Sequence, residues 1–198
     1  MTAITTAFAD AIHDSQACFR RLLTAMSEPG TRVTLDRAGA FGGLSAGGAQ
    51  VLLTLADNGT RIWLSASLKE DEAVLDNLRF HVAAPLTEQA ATADFAVLSQ
   101  RDSDAAEALL QALPKGTEEY PDRGATLVIE TDAFDDGMPV TLSGPGIAGV
   151  RSVRLGSLPS ALMRWLSERD LSSPLGIDLM LVCDRDLIAI PRSTRVEV

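Results

Sequence analysis

Lysine is scarce in this chain: only Lys69 and Lys115 occur among 198 residues. Pyridoxal phosphate enzymes hold their cofactor on a desolvated lysine, and both lysines here lie in polar, surface-like segments, 67–71 and 114–116. An activated amine of that kind is not expected. Cysteine and histidine are equally sparse, two of each. Cys18 falls in an amphipathic segment and Cys183 ends an apolar run, so both read as core thiols, with no disulfide framework and no papain-like nucleophile. His13 and His81 are far apart and neither has a His or Cys neighbour, which argues against a structural zinc site. Bases are outnumbered 17 to 27 by acids, for a net charge of −10. That balance excludes nucleic-acid binding through a broad basic face, and the spread of the acids fits a solvated surface. No apolar run approaches the roughly 20 residues needed to span a bilayer. The amino terminus lacks a basic region followed by a long apolar one, so no signal peptide is expected and the protein is expected in the cytoplasm. Aromatics make up 5% of a chain that is 46% hydrophobic, so the core must be Leu, Val, Ile and Ala.

The firmest feature is the carboxyl-terminal stretch 174–198. Ile177–Cys183 carries one charge, Asp178; Leu187–Ile190 is a second apolar run; Asp184-Arg185-Asp186 joins them. Two such runs on so short a link read as a hairpin. The first run hardly alternates, so it is a candidate central strand with helices on both sides. Pro191 ends the second.

Ahead of it the patterns interleave. Asp14 is placed to cap a helix starting at Ser15, with Phe19, Leu22, Leu23 and Met26 as its buried stripe, ended by Pro29-Gly30. Thr31–Leu35 reads as a strand. Gly39–Gly48 holds five glycines and reads as a mobile surface loop. Helices follow at Val51–Ala56, Asp71–Phe80, Ser103 or Asp104 to Leu113, and Leu158–Leu166. Strands are expected at Arg61–Ser65, Phe95–Leu98, Ala125–Thr131, Pro139–Ser143 and Val150–Leu155. About eight strands and five helices, mixed along the chain, predict a single α/β domain over residues 1–198, a three-layer helix-sheet-helix with a mixed sheet.

Candidate chemistry is thin. Gly43-Leu44-Ser45-Ala46-Gly47 has the letters of a hydrolase elbow, but no apolar strand precedes it and only His81 follows as a possible base. His81, beside Phe80 and Arg79, suits a helix end better than catalysis. No Lys-Ser/Thr follows the glycines, so there is no P-loop. The turn Ser143–Ile147, with Gly144 and Gly146, can present N–H groups to an anion or simply end a strand. Arg192 and Arg195, following a rigid hairpin, suit carboxylate, phosphate or protein recognition, or an exposed tail. Composition and spacing stop at an α/β domain that acts with a partner.

A set of stretches in order goes further: Phe19-Arg20-Arg21-Leu22 with 25–30, Leu52–Asn58, Leu78–His81 with Ala84-Pro85-Leu86, Gly124–Leu127, Leu142-Ser143-Gly144 with Gly146-Ile147, Pro174–Leu179, and Ile190-Pro191-Arg192 with Thr194. Together they resemble the H subunit of the bacterial carbon–phosphorus lyase system for phosphonate breakdown. That resemblance implies a fold like the large domain of pyridoxal-phosphate-dependent transferases without the cofactor, and no cofactor of its own. It implies a homodimer in isolation and a core complex with G, I and J subunits. The complex moves the ribose triphosphate part of ATP to methylphosphonate and displaces adenine; this chain is then a non-catalytic subunit. Radical cleavage belongs to the iron–sulfur J subunit, and no cysteine cluster for such a centre is present here. Arg20, Glu28, Arg79, His81, Gly144, Gly146, Arg192 and Thr194 are the candidate interaction or ligand contacts within the matching stretches. The alternative is an independent protein or enzyme that binds a small phosphorylated ligand at the Ser143–Ile147 turn.

Overall fold

The computed structural model describes residues 4–169 and 174–198. The hairpin is its centre. β7 (Asp178–Cys183) and β8 (Asp186–Ile190) pair antiparallel across a two-residue turn in which Asp184 adopts φ 50°. β1 (Arg32–Thr34) adds to the free edge of β8. On the other side β7 pairs in parallel with β4 (Thr126–Glu130), then β3 (Phe95–Leu98), then β2 (Ile62–Leu64). The order β1-β8-β7-β4-β3-β2 is therefore a mixed six-stranded sheet with β7 inside it. Burial of every side chain of β4 and β7 except the first and last of each strand explains why neither strand alternates.

Side chains leave this sheet alternately up and down. On one face Ile62, Leu64, Val97, Val128, Met180 and Val182 pack under α1 (Ala11–Ser27), α2 (Ala46–Leu55) and α4 (Glu72–His81). The other face, with Leu98, Leu127, Ile129, Leu179 and Leu181, meets α5 (Ala106–Ala112) and α6 (Ser160–Glu168). It also meets a small antiparallel sheet of order β6-β5-β9, made by β5 (Pro139–Ser143), β6 (Val150–Arg154) and β9 (Arg195–Glu197). A short helix, α3 (Ala66–Lys69), follows β2. The result is three layers of α/β type, with a sheet sharing one outer layer with helices.

Several expectations need correction. α1 is capped by Asp10, whose carboxylate accepts from the N–H groups of Ile12 (3.1 Å) and His13 (3.0 Å); Asp14 instead accepts from Asp10 N–H at 2.9 Å. Its buried stripe is Cys18, Leu22 and Ala25, while Phe19 and Leu23 are 49% and 55% exposed. Small residues at 18 and 25 let α1 lie close on the glycine-rich α2, which turns the larger apolar residues outward. The glycine run is not a loose loop. α2 begins inside it at Ala46, and a Cβ on Gly47 would stand 2.6 Å from Val182 Cγ1 and 2.8 Å from the Asp184 carbonyl oxygen. Those glycines permit close approach of backbone, not motion. The helix expected from Ser103 begins as a 3-10 turn, Gln100–Ala105, capped by Ser99. The tail after Pro191 is not loose either, since Arg195–Glu197 is a strand paired to β5. Nine strands and six α-helices result among the described residues.

Candidate functional site

In open sheets with parallel strands, ligands favour the crevice outside the carboxyl ends, where successive connections pass to opposite faces. This chain has such a point. The link from β2 to β3 carries α4 on one face; the link from β3 to β4 carries α5 on the other. A crevice of about 420 Å³ lies there, lined among others by Ser67, Ser99, Arg101, Glu130, Thr131 and Asp184.

Its inner wall is set by strand ends. β4 ends in Glu130, whose Oε1 accepts the Ser45 N–H at 2.9 Å. Ser45 is the N-cap of α2, and its Oγ accepts the Gly48 N–H at 3.1 Å. Glu130 thus sits where the amino end of α2 favours negative charge, yet burial pushes its carboxyl above the ordinary value against both the hydroxyl and the N–H of Ser45. β2 and β3 are each followed by a serine, and Ser99 N–H donates to Ser65 Oγ at 3.0 Å. Ser67 donates from both its N–H (3.0 Å) and its hydroxyl (2.6 Å) to Asp102 Oδ2. Burial pulls Asp102 upward, but the hydroxyls of Ser65 and Ser67 outweigh it and hold the carboxyl low. Asp71 caps α4 and accepts the Gly43 N–H at 2.7 Å, which keeps it below the ordinary range. At the rim, the Arg101 guanidinium makes no ion pair or hydrogen bond with any described residue, whereas Asp132 and Asp184 are exposed. Cys183 donates its thiol hydrogen to the Asp132 carbonyl at 3.1 Å, and burial raises its pKa, so it stands as a neutral thiol.

Ser45 is not a nucleophile of the hydrolase kind. No histidine lines its crevice; His81 stacks on Phe41 at 5.5 Å and donates from Nε2 to the Thr5 carbonyl at 2.8 Å. Neither lysine lines the crevice. Lys69 pairs with Glu88 at the outer end of α3, and Lys115 lies by a second hollow. Among the described residues no three His, Cys, Asp or Glu side chains converge as metal ligands.

The candidate contacts separate into groups. Arg192 braces the fold: it chelates Asp178 through Nε (3.1 Å) and Nη2 (2.6 Å), and its Nη1 donates to the Pro121 carbonyl at 2.6 Å. Thr194 is fully buried, and its carbonyl accepts from Arg169. Gly144 and Gly146 adopt φ 132° and 82°, and a Cβ on Gly146 would overlap the Ser27 carbonyl oxygen. That turn packs against Ser27–Pro29 and Ser193–Thr194, bringing Gly144, Gly146 and Thr194 close to the segment that holds Glu28. Glu28 is the exposed C-cap of α1, and its carbonyl accepts from Arg151 at 3.1 Å. Arg79 and His81 end α4, elsewhere in the molecule. Arg20 projects from α1, and the side chains of Arg20 and Arg79 are exposed and pair with no described residue. The second hollow, about 430 Å³, opens near the amino end of β7 between Lys115, Trp165, Glu168, Arg169, Gly176 and Arg192. Arg169 stacks over Trp165 there, and burial lowers its pKa to about 10 despite the pull of Asp178.

Glu130, Thr131, Ser99 and Arg101 were not among the sequence candidates. The available signal was a recurrence: apolar strands that run into Ser65, Ser99, Glu130 and Cys183-Asp184 put their first polar groups on one edge of the sheet.

With this geometry in hand, comparison with known proteins is informative. A family model described as bacterial phosphonate metabolism protein (PhnH) matches residues 6–197. The chain is 34% identical over 193 residues to the alpha-D-ribose 1-methylphosphonate 5-triphosphate synthase subunit PhnH of Rhizobium meliloti (strain 1021), covering 96% of this chain and 94% of that protein. It is 30% identical over 186 residues to the putative C-P lyase subunit protein HtxG of Stutzerimonas stutzeri, covering 92% of this chain and 86% of the relative. A match that runs through both sheets and every described helix leaves one assignment: the chain belongs to the bacterial phosphonate metabolism protein (PhnH) family.

Proposed function

We propose that this protein is a non-catalytic subunit of a carbon–phosphorus lyase complex, supporting transfer of the ribose triphosphate moiety of ATP to methylphosphonate in phosphonate catabolism. The observation that carries the reading is the 34% identity, along 96% of the chain, to a relative that bears the name of a synthase subunit. In this reading residues 1–198 form one α/β domain of the pyridoxal-phosphate transferase type that carries no cofactor. It pairs with a second copy when alone and with G, I and J subunits in the complex.

The side chains support a role in company. Arg192, His81 and Thr194 are spent on internal packing and bracing. Arg20 and Arg79 are exposed and unpaired among the described residues, and arginine is favoured at protein interfaces. They are the contacts we assign to partners. A tagged chain co-expressed with G, I and J subunits is expected to retain all three on purification. Arg20→Glu with Arg79→Glu is expected to lose at least one partner while keeping the melting temperature of the isolated chain. Full retention of partners by the double variant would remove these arginines from the interface; failure of the unaltered chain to retain any partner would overturn the subunit reading.

A further inference from the structure

Helix α1 carries two apolar faces, and the fold uses only one. The inward face is Cys18, Leu22 and Ala25, which lie on α2. The outward face holds larger residues: Ile12 is 67% exposed, and Phe19 and Leu23 are each about half exposed. Met26 adjoins them and is only partly buried. On a helix of 3.6 residues per turn, positions 12, 19, 23 and 26 fall within about 60° of one another, so they form one seam over about four turns. The three exposed side chains present an apolar patch on the order of 300 Å², the size at which a patch on a monomer is often functional. Asp10 caps the helix that holds it.

The spacing identifies the shape of what covers this face. Ile12, Gln16, Phe19, Leu23 and Met26 follow one another at steps of four and three residues. Those are the steps by which one helix sets its side chains into the gaps of another. Charge narrows the choice. The outer flank of the seam carries His13, Arg20 and Ser27 at seven-residue intervals, and the Arg20 guanidinium is exposed with no described partner. No acid stands on that flank: Asp14 turns inward toward Arg37, and Asp10 is bonded to His13 at the helix end. A second copy of the chain fits poorly. Antiparallel packing about a twofold axis at Phe19 sets two Arg20 side chains against each other, and parallel packing sets Arg20 against the inward flank that holds Leu22. A helix with an acidic residue facing Arg20 gains an ion pair where a second copy meets repulsion. The patch is smaller than the roughly 800 Å² that each side of a stable interface buries. It is the apolar centre of a larger contact, and Arg20 belongs to the polar rim.

We propose that the outward seam of α1, formed by Ile12, Phe19, Leu23 and Met26, docks an amphipathic helix of a different subunit, with an acidic residue of that helix facing Arg20. The proposal rests on the subunit reading above and adds the element that makes the contact and the chemistry of what it meets.

The test is co-purification of the tagged full-length chain with G, I and J subunits, followed by titration of those subunits with the chain and its variants. Phe19→Ser with Leu23→Ser is expected to bind at least about a hundredfold more weakly. Because both side chains are exposed, the melting temperature of the isolated variant is expected within about 3 °C of the parent's. Arg20→Glu is expected to bind about tenfold more weakly and Arg20→Lys within about threefold of the parent, with high salt narrowing the gap between them. If the double serine variant unfolds, the two Arg20 variants carry the test. Parent-like affinity of the folded serine variant, or of Arg20→Glu, overturns the proposal and leaves the subunit reading standing. Failure of the unaltered chain to retain any of the three subunits overturns both. A serine variant that keeps its partners but sediments as a monomer where the parent is a dimer assigns the seam to a second copy, which also overturns the proposal.

Discussion

The two ends of the parallel strands differ in their ion pairs, which lie at the amino ends. At the amino ends, two ion pairs match polar groups to one another, although around the second hollow Arg169 Nε and Nη1 and Thr194 Oγ1 are buried without a described partner. Arg61, ahead of β2, binds Asp94, ahead of β3, through its guanidinium (3.1 Å) and its N–H (2.8 Å). Asp178, first in β7, takes both the guanidinium and the backbone N–H of Arg192. At the carboxyl ends, Thr131 and Gln100 leave an atom bare, and the Arg101 guanidinium has no described partner. Matched pairs fix strand register and close an edge. Incomplete bonding marks both the crevice around Thr131 and Gln100 and the hollow around Arg169 and Thr194.

The largest expected effect tests the closed end. Arg192→Ala leaves the Asp178 carboxylate and the Pro121 carbonyl without their main donor. Both partners of the pair are mostly buried, at 18% and 15% exposure. Allowing for that remaining exposure, a loss of about 3 kcal/mol in denaturant-unfolding stability is expected. A loss under about 1 kcal/mol would mean the brace is decorative and the contrast false. Next in size is Gly47→Ala. Its methyl group meets Val182 and the Asp184 carbonyl where α2 touches the hairpin, and about 1–3 kcal/mol should be lost. Unchanged stability would restore the reading of the glycine run as a loose loop.

The open end has a smaller effect of opposite sign. Burial raises the Glu130 carboxyl in the folded state, so the native protein holds that proton more tightly than the unfolded chain does. The associated stability is fully present below the ordinary value of 4.5 and is lost as pH climbs through the raised folded value. Glu130→Gln removes the charge but keeps the acceptor. It should be more stable than the parent at pH 7, on the order of 1 kcal/mol, with the difference vanishing near pH 4. Thermal melts of both proteins across that range measure it, and a variant less stable at pH 7 would show that the helix end compensates the buried charge fully. Smallest are Arg20→Glu and Arg79→Glu, each expected to move stability by less than about 0.5 kcal/mol, because neither side chain has a described partner.

Most of the scaffold was legible in the sequence because it obeys local rules. The apolar run Ile177–Cys183 announced a doubly covered strand, and β3 and β5 have the expected bounds. Asp57-Asn58-Gly59 turns the chain after α2, the Gly59 N–H donating to Asp57 Oδ1 as these residue types favour. Errors arose where packing overrides pattern. Phe19 and Leu23 fit a helical stripe as well as Cys18 and Ala25 do, and only the close contact with α2 decides which side faces in. The glycines at 47 and 48 look permissive until Val182 and Glu130 are placed beside them. The site was less legible. Ser99, Glu130 and Thr131 are ordinary residues within the chain; they converge only because β3 and β4 are neighbours in parallel register. By contrast Arg192, a sequence candidate, is partnered by Asp178, a residue that its place in an apolar strand had made look incidental.

The most direct measurement is adenine release from ATP in the presence of methylphosphonate, with purified components. This chain alone and the G, I and J subunits without it are each expected to be silent, and the four together active. Release by this chain alone, or equal release by the other three without it, would contradict the account.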